Sequence, residues 1–283
     1  MNKAKIIISS NSGFCFGVKR ALGIARRVLR KHGTIYSFGP IIHNPQVVNG
    51  FSGKGLKIIK TLKEIKSKKR YLLIPSHGIS PDALRGKNIS RIDTTCPFVS
   101  RVQKIVKDLR EKGYFIIIVG DRKHPEVKGL VGMAGKNSCC VLADKKEAKR
   151  FNLKPKKAAL ISQTTATLAN FKEILSEIGK KNFMELISFN TVCKNTIDRQ
   201  KEAASIAEKV DAMIIIGGKN SANTSKLART CKMVNKNTYH IESGRDLKLK
   251  FLKDKKNIGI ATGASTPPYA IDEVVNEIRR FDN

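Results

Sequence analysis

Short runs of branched apolar residues alternate along the chain with longer stretches in which apolar positions recur every three or four residues, the pattern of strands alternating with amphipathic helices. The stretch after Cys15 places Val18, Ala21, Leu22, Ala25, Val28 and Leu29 on one helical face and stops at Gly33. The stretch after Cys96 does the same with Val99, Val102, Val106 and Leu109, and a third follows Cys193. Each runs on into an apolar strand and a polar loop. Cys15 to His43, Cys96 to His124 and Cys193 to Ser221 all span 28 positions, a register that marks an internal repeat.

The second half of each repeat follows the same order. A weak second strand (KIIK at 57–60, CVLA at 140–143, TYHI at 238–241) precedes a lysine-rich helical stretch and a third strand with a small polar ending, "YLLIPSHGIS", "AALISQTTAT" and "IGIATGASTP". The first two endings lead through another strand into the next cysteine, "RIDTTC" and "ISFNTVC". "KIIISSNSGFC" gives Cys15 the same lead-in, so the N-terminus completes the third repeat. The pattern predicts an α/β protein of three repeats, 15–95, 96–192 and 193–283 plus 1–14, each a small, mostly parallel sheet flanked by helices. Ligands of such sheets lie beyond the carboxyl ends of the strands. Three equivalent repeats closed into a ring would set Cys15, Cys96 and Cys193 around one pseudo-threefold axis.

Composition narrows the setting. A chain of 283 residues, 41% of them hydrophobic, can bury a sizeable core. Its N-terminal run of three isoleucines is too short for a signal peptide or a membrane span, so a cytoplasmic protein with no membrane partner is expected. Six cysteines in that compartment stay reduced and serve packing, catalysis or metal binding. The net charge of +32 favours polyanionic, phosphorylated or acidic partners. The basic residues are nonetheless scattered, the densest run being KSKKR at 66–70. With no RNP-type motif, zinc-finger spacing or basic heptads, the charge alone does not make a nucleic-acid-binding protein.

The repeat gives the cysteines their chemistry. Each sits at a strand-to-helix turn, where the helix dipole favours thiolate. Three such sulfur ligands suit an iron–sulfur cluster, or a zinc ion with one open position. Cys139, Cys140 and Cys231 fall outside the register and are expected to pack. The polar loops of the repeats supply His43, His77, His124, Thr164, Thr165, Ser221, Asn223 and Ser265, with Glu126 as the one carboxylate in the motif cores. A site rich in neutral or cationic donors and poor in acids suits a phosphate or diphosphate. Glu126 also reads as an acid in the first turn of a helix opened by Pro125.

"GFCFGVKRA", "HNPQVV", "SHGIS", "DTTCPFV", "HPEV", "SQTTAT", "NTVC", "GGKNSANT" and "GASTP" together resemble the IspH/LytB family of 4-hydroxy-3-methylbut-2-enyl diphosphate reductases over essentially the whole chain. The resemblance implies a trefoil of three α/β domains around a [4Fe-4S] cluster that three cysteines hold, one iron being left open. It implies the last step of the methylerythritol phosphate route to isoprenoids, in which two electrons and two protons remove an allylic hydroxyl as water. Carried onto this sequence, it implies Cys15, Cys96 and Cys193 as cluster ligands, and His43, His77, Ser221, Asn223 and Ser265 as a diphosphate clamp. Glu126, with Thr164 and His124, is implied as the proton-delivery group. An acidic electron carrier of the ferredoxin or flavodoxin type is the implied protein partner. The chain departs from the family pattern at Ala222, where a second serine is usual, at Lys194 and Asn195 after the third cysteine, and at Asp121, Arg122 and Lys123 before His124.

Overall fold

The computed structural model describes residues 4–65, 71–85 and 89–281, so the basic run at 66–70 lies outside the described residues. In chain order the regular elements are β1 (Lys5–Ile8), α1 (Phe16–His32), β2 (Ile35–Phe38), α2 (Pro45–Ser52), β3 (Leu56–Ile59), β4 (Tyr71–Ile74), β5 (Ser90–Asp93), α3 (Pro97–Glu111) and β6 (Phe115–Val119). There follow α4 (Pro125–Ala134), β7 (Cys139–Leu142), α5 (Lys145–Arg150), β8 (Lys157–Ser162), α6 (Leu168–Ile178), β9 (Glu185–Ser188) and α7 (Lys194–Ala207). The last elements are β10 (Ala212–Ile216), α8 (Ala222–Val234), β11 (Thr238–Ile241), β12 (Asn257–Thr262) and α9 (Tyr269–Phe281).

The strands form three four-stranded sheets that share one order: β3-β2-β4-β5, β7-β6-β8-β9 and β11-β10-β12-β1. Every pairing among the described residues is parallel. β1 therefore takes in the third sheet the edge place that β5 and β9 take in the others, with Ile6 opposite Ile258 and Ile8 opposite Ile260. The central strands read as unbroken apolar runs, FIIIV in β6 and AMIII in β10, because helices cover both their faces. The edge strand β3 is covered only in part, with Leu56 and Ile59 buried and Lys57 and Ile58 exposed.

The helices bury the faces their periodicity marks. Val18, Ala21, Leu22, Ala25 and Leu29 of α1 are buried, as are Val99, Val102, Val106 and Leu109 of α3. Gly33 and Gly113, with φ of 72° and 78°, end these helices in the left-handed region that glycine tolerates best. The lysine-rich stretch after the second strand differs between repeats. It forms α5 in the second, whereas the described part of the first and the whole of the third form short 3₁₀ turns, Leu62–Glu64, Gly244–Asp246 and Leu249–Phe251.

The chain divides into two compact units. One comprises residues 1–18, 43–49 and 194–283 and holds the sheet β11-β10-β12-β1. Its core packs Ile214, Ile216, Ile258 and Ile260 against Ala270, Val274 and Ile278 of α9 on one face. Met213, Ile215 and Ala261 pack with Ala203 and Ala207 of α7 and Leu227 of α8 on the other. The second unit comprises residues 19–42 and 50–193 and holds the other two sheets. Around β6 and β8 its core joins Ile116, Ile118 and Ile161 to Val102 and Val106 of α3 and Leu130 of α4.

Candidate active site

The three repeat cysteines occupy one and the same backbone setting. Cys15, Cys96 and Cys193 immediately precede α1, α3 and α7. Each cysteine amide donates to the carbonyl of the second residue past the end of a strand: Ala264 after β12 (3.0 Å), Ser76 after β4 (2.9 Å) and Thr164 after β8 (2.9 Å). All three thiols are partly exposed. A second recurrence flanks the first. Gly39, Gly120 and Gly217, each 24 residues past its cysteine, donate their amides to the Ile59, Leu142 and Ile241 carbonyls at the ends of β3, β7 and β11. The loop that follows carries the polar residue of the 28-position register.

In that loop the repeats part company by one residue. His124 and Ser221 cap α4 and α8, accepting from the amides of Glu126 and Thr224 through Nδ1 and Oγ respectively. In the first repeat Asn44, not His43, does this, its Oδ1 accepting from the Val47 amide at 3.0 Å. The Asn-Pro pair at 44–45 carries the usual helix-start signal, so the cap was readable from "HNP".

In the larger unit, six site residues form one connected series. The Cys96 amide is bonded to Ser76, next to His77, whose ring stands edge-on to that of His124 at a centroid distance of 6.4 Å. Nδ1 of His77 donates to the Gly78 carbonyl at 2.9 Å. Nδ1 of His124 accepts from the Glu126 amide at 3.2 Å, which places the proton of the neutral ring on Nε2. Glu126 is 2% exposed, and its two oxygens accept from the Thr164 amide (2.7 Å) and hydroxyl (2.8 Å). The Thr164 carbonyl in turn holds the Cys193 amide. Thr165 accepts at its hydroxyl from Nε2 of Gln163, a fully buried side chain that the repeat pattern did not single out.

In the smaller unit, Ser265 Oγ donates to the His43 carbonyl at 3.1 Å. Burial pushes the His43 imidazole below its ordinary pKa, so the ring is neutral at physiological pH. Ser221, Asn223 and Ser265 are all buried, and Nδ2 of Asn223 has no hydrogen-bond partner among the described residues. A buried amide donor left over at a helix start, beside a capping serine, is suited to an oxyanion. Cys15 lies in this unit, whereas Cys96 and Cys193 lie in the other. Among the described residues no three His, Cys, Asp or Glu side chains are grouped closely enough to hold a metal ion. The remaining thiols are of another kind: burial pushes Cys140 and Cys231 up to about 12, so they stay protonated.

Sequence comparison points in one direction. Residues 6–279 match the family model described as LytB protein. A relative from Geobacter metallireducens named 4-hydroxy-3-methylbut-2-enyl diphosphate reductase is 41% identical over 282 residues, covering 99% of this chain and 98% of its own. One of the same name from a Thermoanaerobacter species is 44% identical, covering 97% and 96%. A solved structure of (E)-4-hydroxy-3-methyl-but-2-enyl diphosphate reductase, described as the terminal enzyme of the non-mevalonate pathway, is 40% identical with a TM-score of 0.68 and covers 98% of this chain and 99% of its own. The E-1-hydroxy-2-methyl-but-2-enyl-4-diphosphate reductase from Plasmodium falciparum is 26% identical with a TM-score of 0.91, covering 97% and 87%.

Proposed function

Because the chain belongs to the LytB protein family, we propose that it is an iron–sulfur oxidoreductase of isoprenoid biosynthesis, acting in the non-mevalonate pathway as its relatives do. The reaction takes (E)-4-hydroxy-3-methylbut-2-enyl diphosphate, two electrons and two protons to isopentenyl or dimethylallyl diphosphate and water. One observation carries the assignment of the ligands. The same cysteine recurs three times before a helix, its amide fastened each time two residues beyond a strand end. That donor set of three thiols fits a [4Fe-4S] cluster with one iron free of protein ligands, and Cys15, Cys96 and Cys193 would hold it. When bound, the cluster supplies electrons one at a time and a Lewis-acidic iron for the departing hydroxyl.

The chain's own residues do the rest. His43, His77, Ser221, Asn223 and Ser265 bind the diphosphate, the orphaned Asn223 Nδ2 being the donor most clearly in want of an acceptor. A neutral His43 contributes a hydrogen bond without a charge to desolvate. Glu126 and Thr164 form the proton-delivery pair, with the Thr164 hydroxyl already pointing its proton at Glu126 Oε2. His124 fixes the backbone from which Glu126 projects and offers Nε2–H to substrate, with Thr165 lining the same loop cluster. The repeats 15–95, 96–192 and 193–283 plus 1–14 are the proposed domains. The electron donor is proposed to be an acidic ferredoxin or flavodoxin, and the compartment the cytoplasm. Among the described residues no helix is long and apolar enough to cross a membrane.

The test is anaerobic purification with an absorption spectrum and iron and sulfide analysis, followed by turnover of the allylic diphosphate. About four irons and four sulfides per chain, and both products, are expected. Cys15→Ser, Cys96→Ser and Cys193→Ser should each lose cluster and turnover, and Cys231→Ser neither. A colourless protein carrying zinc, or full cluster and activity in any of the three ligand variants, would refute the assignment.

A further inference from the structure

Arg199 is a buried charge to which the proposed chemistry gives no task. It lies on α7, 2% exposed, in line with Ala203 and Ala207 on the helix face that packs under the sheet. Its Nη1 donates to the Thr262 carbonyl (2.8 Å) and hydroxyl (3.2 Å), and its Nη2 donates to the Gly13 carbonyl (3.0 Å). Nε has no hydrogen-bond partner among the described residues. The amide of Gly13 in turn donates to Thr262 Oγ1 at 2.7 Å. Gly13 has φ of 82°, a conformation that side chains strain, so both polar groups of this turn are held while its shape depends on glycine. Cys15 follows two residues later.

A guanidinium taken out of water and bonded only to carbonyls and a hydroxyl lacks a compensating anion in its hydrogen-bonding shell. The groups in electrostatic reach are the Glu202 carboxylate, one turn further along α7, and the Cys15 sulfur. Glu202 is committed elsewhere on the same loop. It accepts from Ser9 Oγ (2.8 Å), the Ser10 amide (2.7 Å), and the Asn11 amide (3.1 Å) and Nδ2 (2.7 Å). α7 thus grips the loop from β1 to α1 at both ends, with a carboxylate at residues 9–11 and a cation at residue 13. The first repeat uses the same device more weakly: Arg20 of α1 donates to the Thr95 carbonyl just before Cys96, at a partly exposed site.

Resting on the reading of Cys15 as a cluster ligand, we propose that Arg199 is a positioning and potential-setting residue. It fixes the Cys15 loop, and its unscreened positive charge stabilises the reduced form of a cluster bound through Cys15. Adding an electron adds negative charge, and a cation in a dry, low-dielectric setting favours that state more than any surface lysine can. Glu202, on the opposite end of the loop and less buried, acts with the opposite sign and more weakly.

The experiment is a redox titration, followed by electron paramagnetic resonance, of the holoenzyme carrying Arg199→Lys, Arg199→Gln or Glu202→Gln. Arg199→Gln should favour the oxidised cluster at least tenfold, which is 59 mV lower for one electron. Arg199→Lys should stay within about threefold of wild type, because the charge is kept although the fork is lost. Glu202→Gln should move the potential the other way. A role confined to holding the loop predicts loss of cluster content with an unmoved potential in the molecules that retain it. That result, or shifts of the same sign from Arg199→Gln and Glu202→Gln, overturns the proposal. If Arg199→Gln does not fold, the opposite shift in Glu202→Gln and the retained potential in Arg199→Lys still decide it. A wild-type protein without iron and sulfide overturns the underlying reading as well, and shows this before any variant is made.

Discussion

Thr164 holds Glu126 at both carboxylate oxygens, and this makes its chemistry separable from its shape. Glu126→Gln can keep the Thr164 amide bond through its own carbonyl, while its amide faces the Thr164 hydroxyl, which must turn to accept. Folding and substrate affinity should change little, and turnover should fall by about 10² to 10⁴, the usual worth of a positioned proton donor. Isothermal titration beside steady-state kinetics separates the two, and wild-type turnover would leave Glu126 only its place at the helix start. Glu202 makes the complementary case at low pH. Burial alone would raise its pKa, but hydrogen bonds from Asn11, Ser9 and Ser10 bring it down to about 2 from an ordinary 4.5. A depressed carboxylate stabilises the folded chain above its unfolded pKa and loses that contribution as pH falls from about 4.5 towards 2. Wild type should therefore exceed Glu202→Gln in melting temperature at pH 6, and the gap should narrow on acidification to pH 3; a gap that is constant with pH refutes this.

At the scale of elements, α4 carries chemistry at its first turn and clearance along its body. A side chain on Gly132 would meet Ser80, its Cβ falling 2.9 Å from that of Ser80, so the loop carrying Ser76 and His77 can pack only against a glycine there. Gly132→Ala should cost about 1–3 kcal/mol, the usual toll of overpacking, and raise KM by displacing His77. Chemical denaturation and kinetics on the same variant check both, and an unchanged denaturation midpoint would show that the loop yields freely. Much of this layout is legible in the sequence. α1 and α3 announce themselves because Val, Leu and Ala recur on one face, and the 28-position distance from cysteine to capping residue holds in the second and third repeats because strand, turn and helix start are rigid. What escapes is physical in origin. Arg199 and Glu202 read as solvent-facing because charge in a helix usually is; only the small Ala203 and Ala207 at four-residue spacing betray that Arg199 lies on the inner face. The first-repeat cap shifts to Asn44 because one extra residue precedes the proline, a change that the repeat register does not record although the Asn-Pro pair itself does. The lysine-rich stretches share a composition but, among the described residues, only that of the second repeat forms a helix, α5, which Asp144 caps.

Over the whole molecule the dominant quantity is the charge of +32. If it steers an acidic electron carrier, the rate with a protein donor should fall steeply between about 0.05 and 0.5 M salt, as the Debye length shrinks from roughly 14 to roughly 4 Å. A small artificial reductant should lose much less, and equal losses with both reductants would assign the charge to the substrate or to nothing catalytic. A different consequence follows from the pairing of β1 with β12. On the ribosome the first strand emerges roughly 250 residues before its neighbour, a delay of about 12 to 50 s at ordinary elongation rates. Throughout that interval the loop of Cys15 lacks Thr262 and Ala264, and for most of it Arg199 and Glu202 as well. The amides of Cys96 and Cys193 are instead held by Ser76 and Thr164, each made before the cysteine it holds. The earliest cysteine to be made is thus the last to have its amide held, and the newborn chain carries its first thiol without that anchor until synthesis is nearly done.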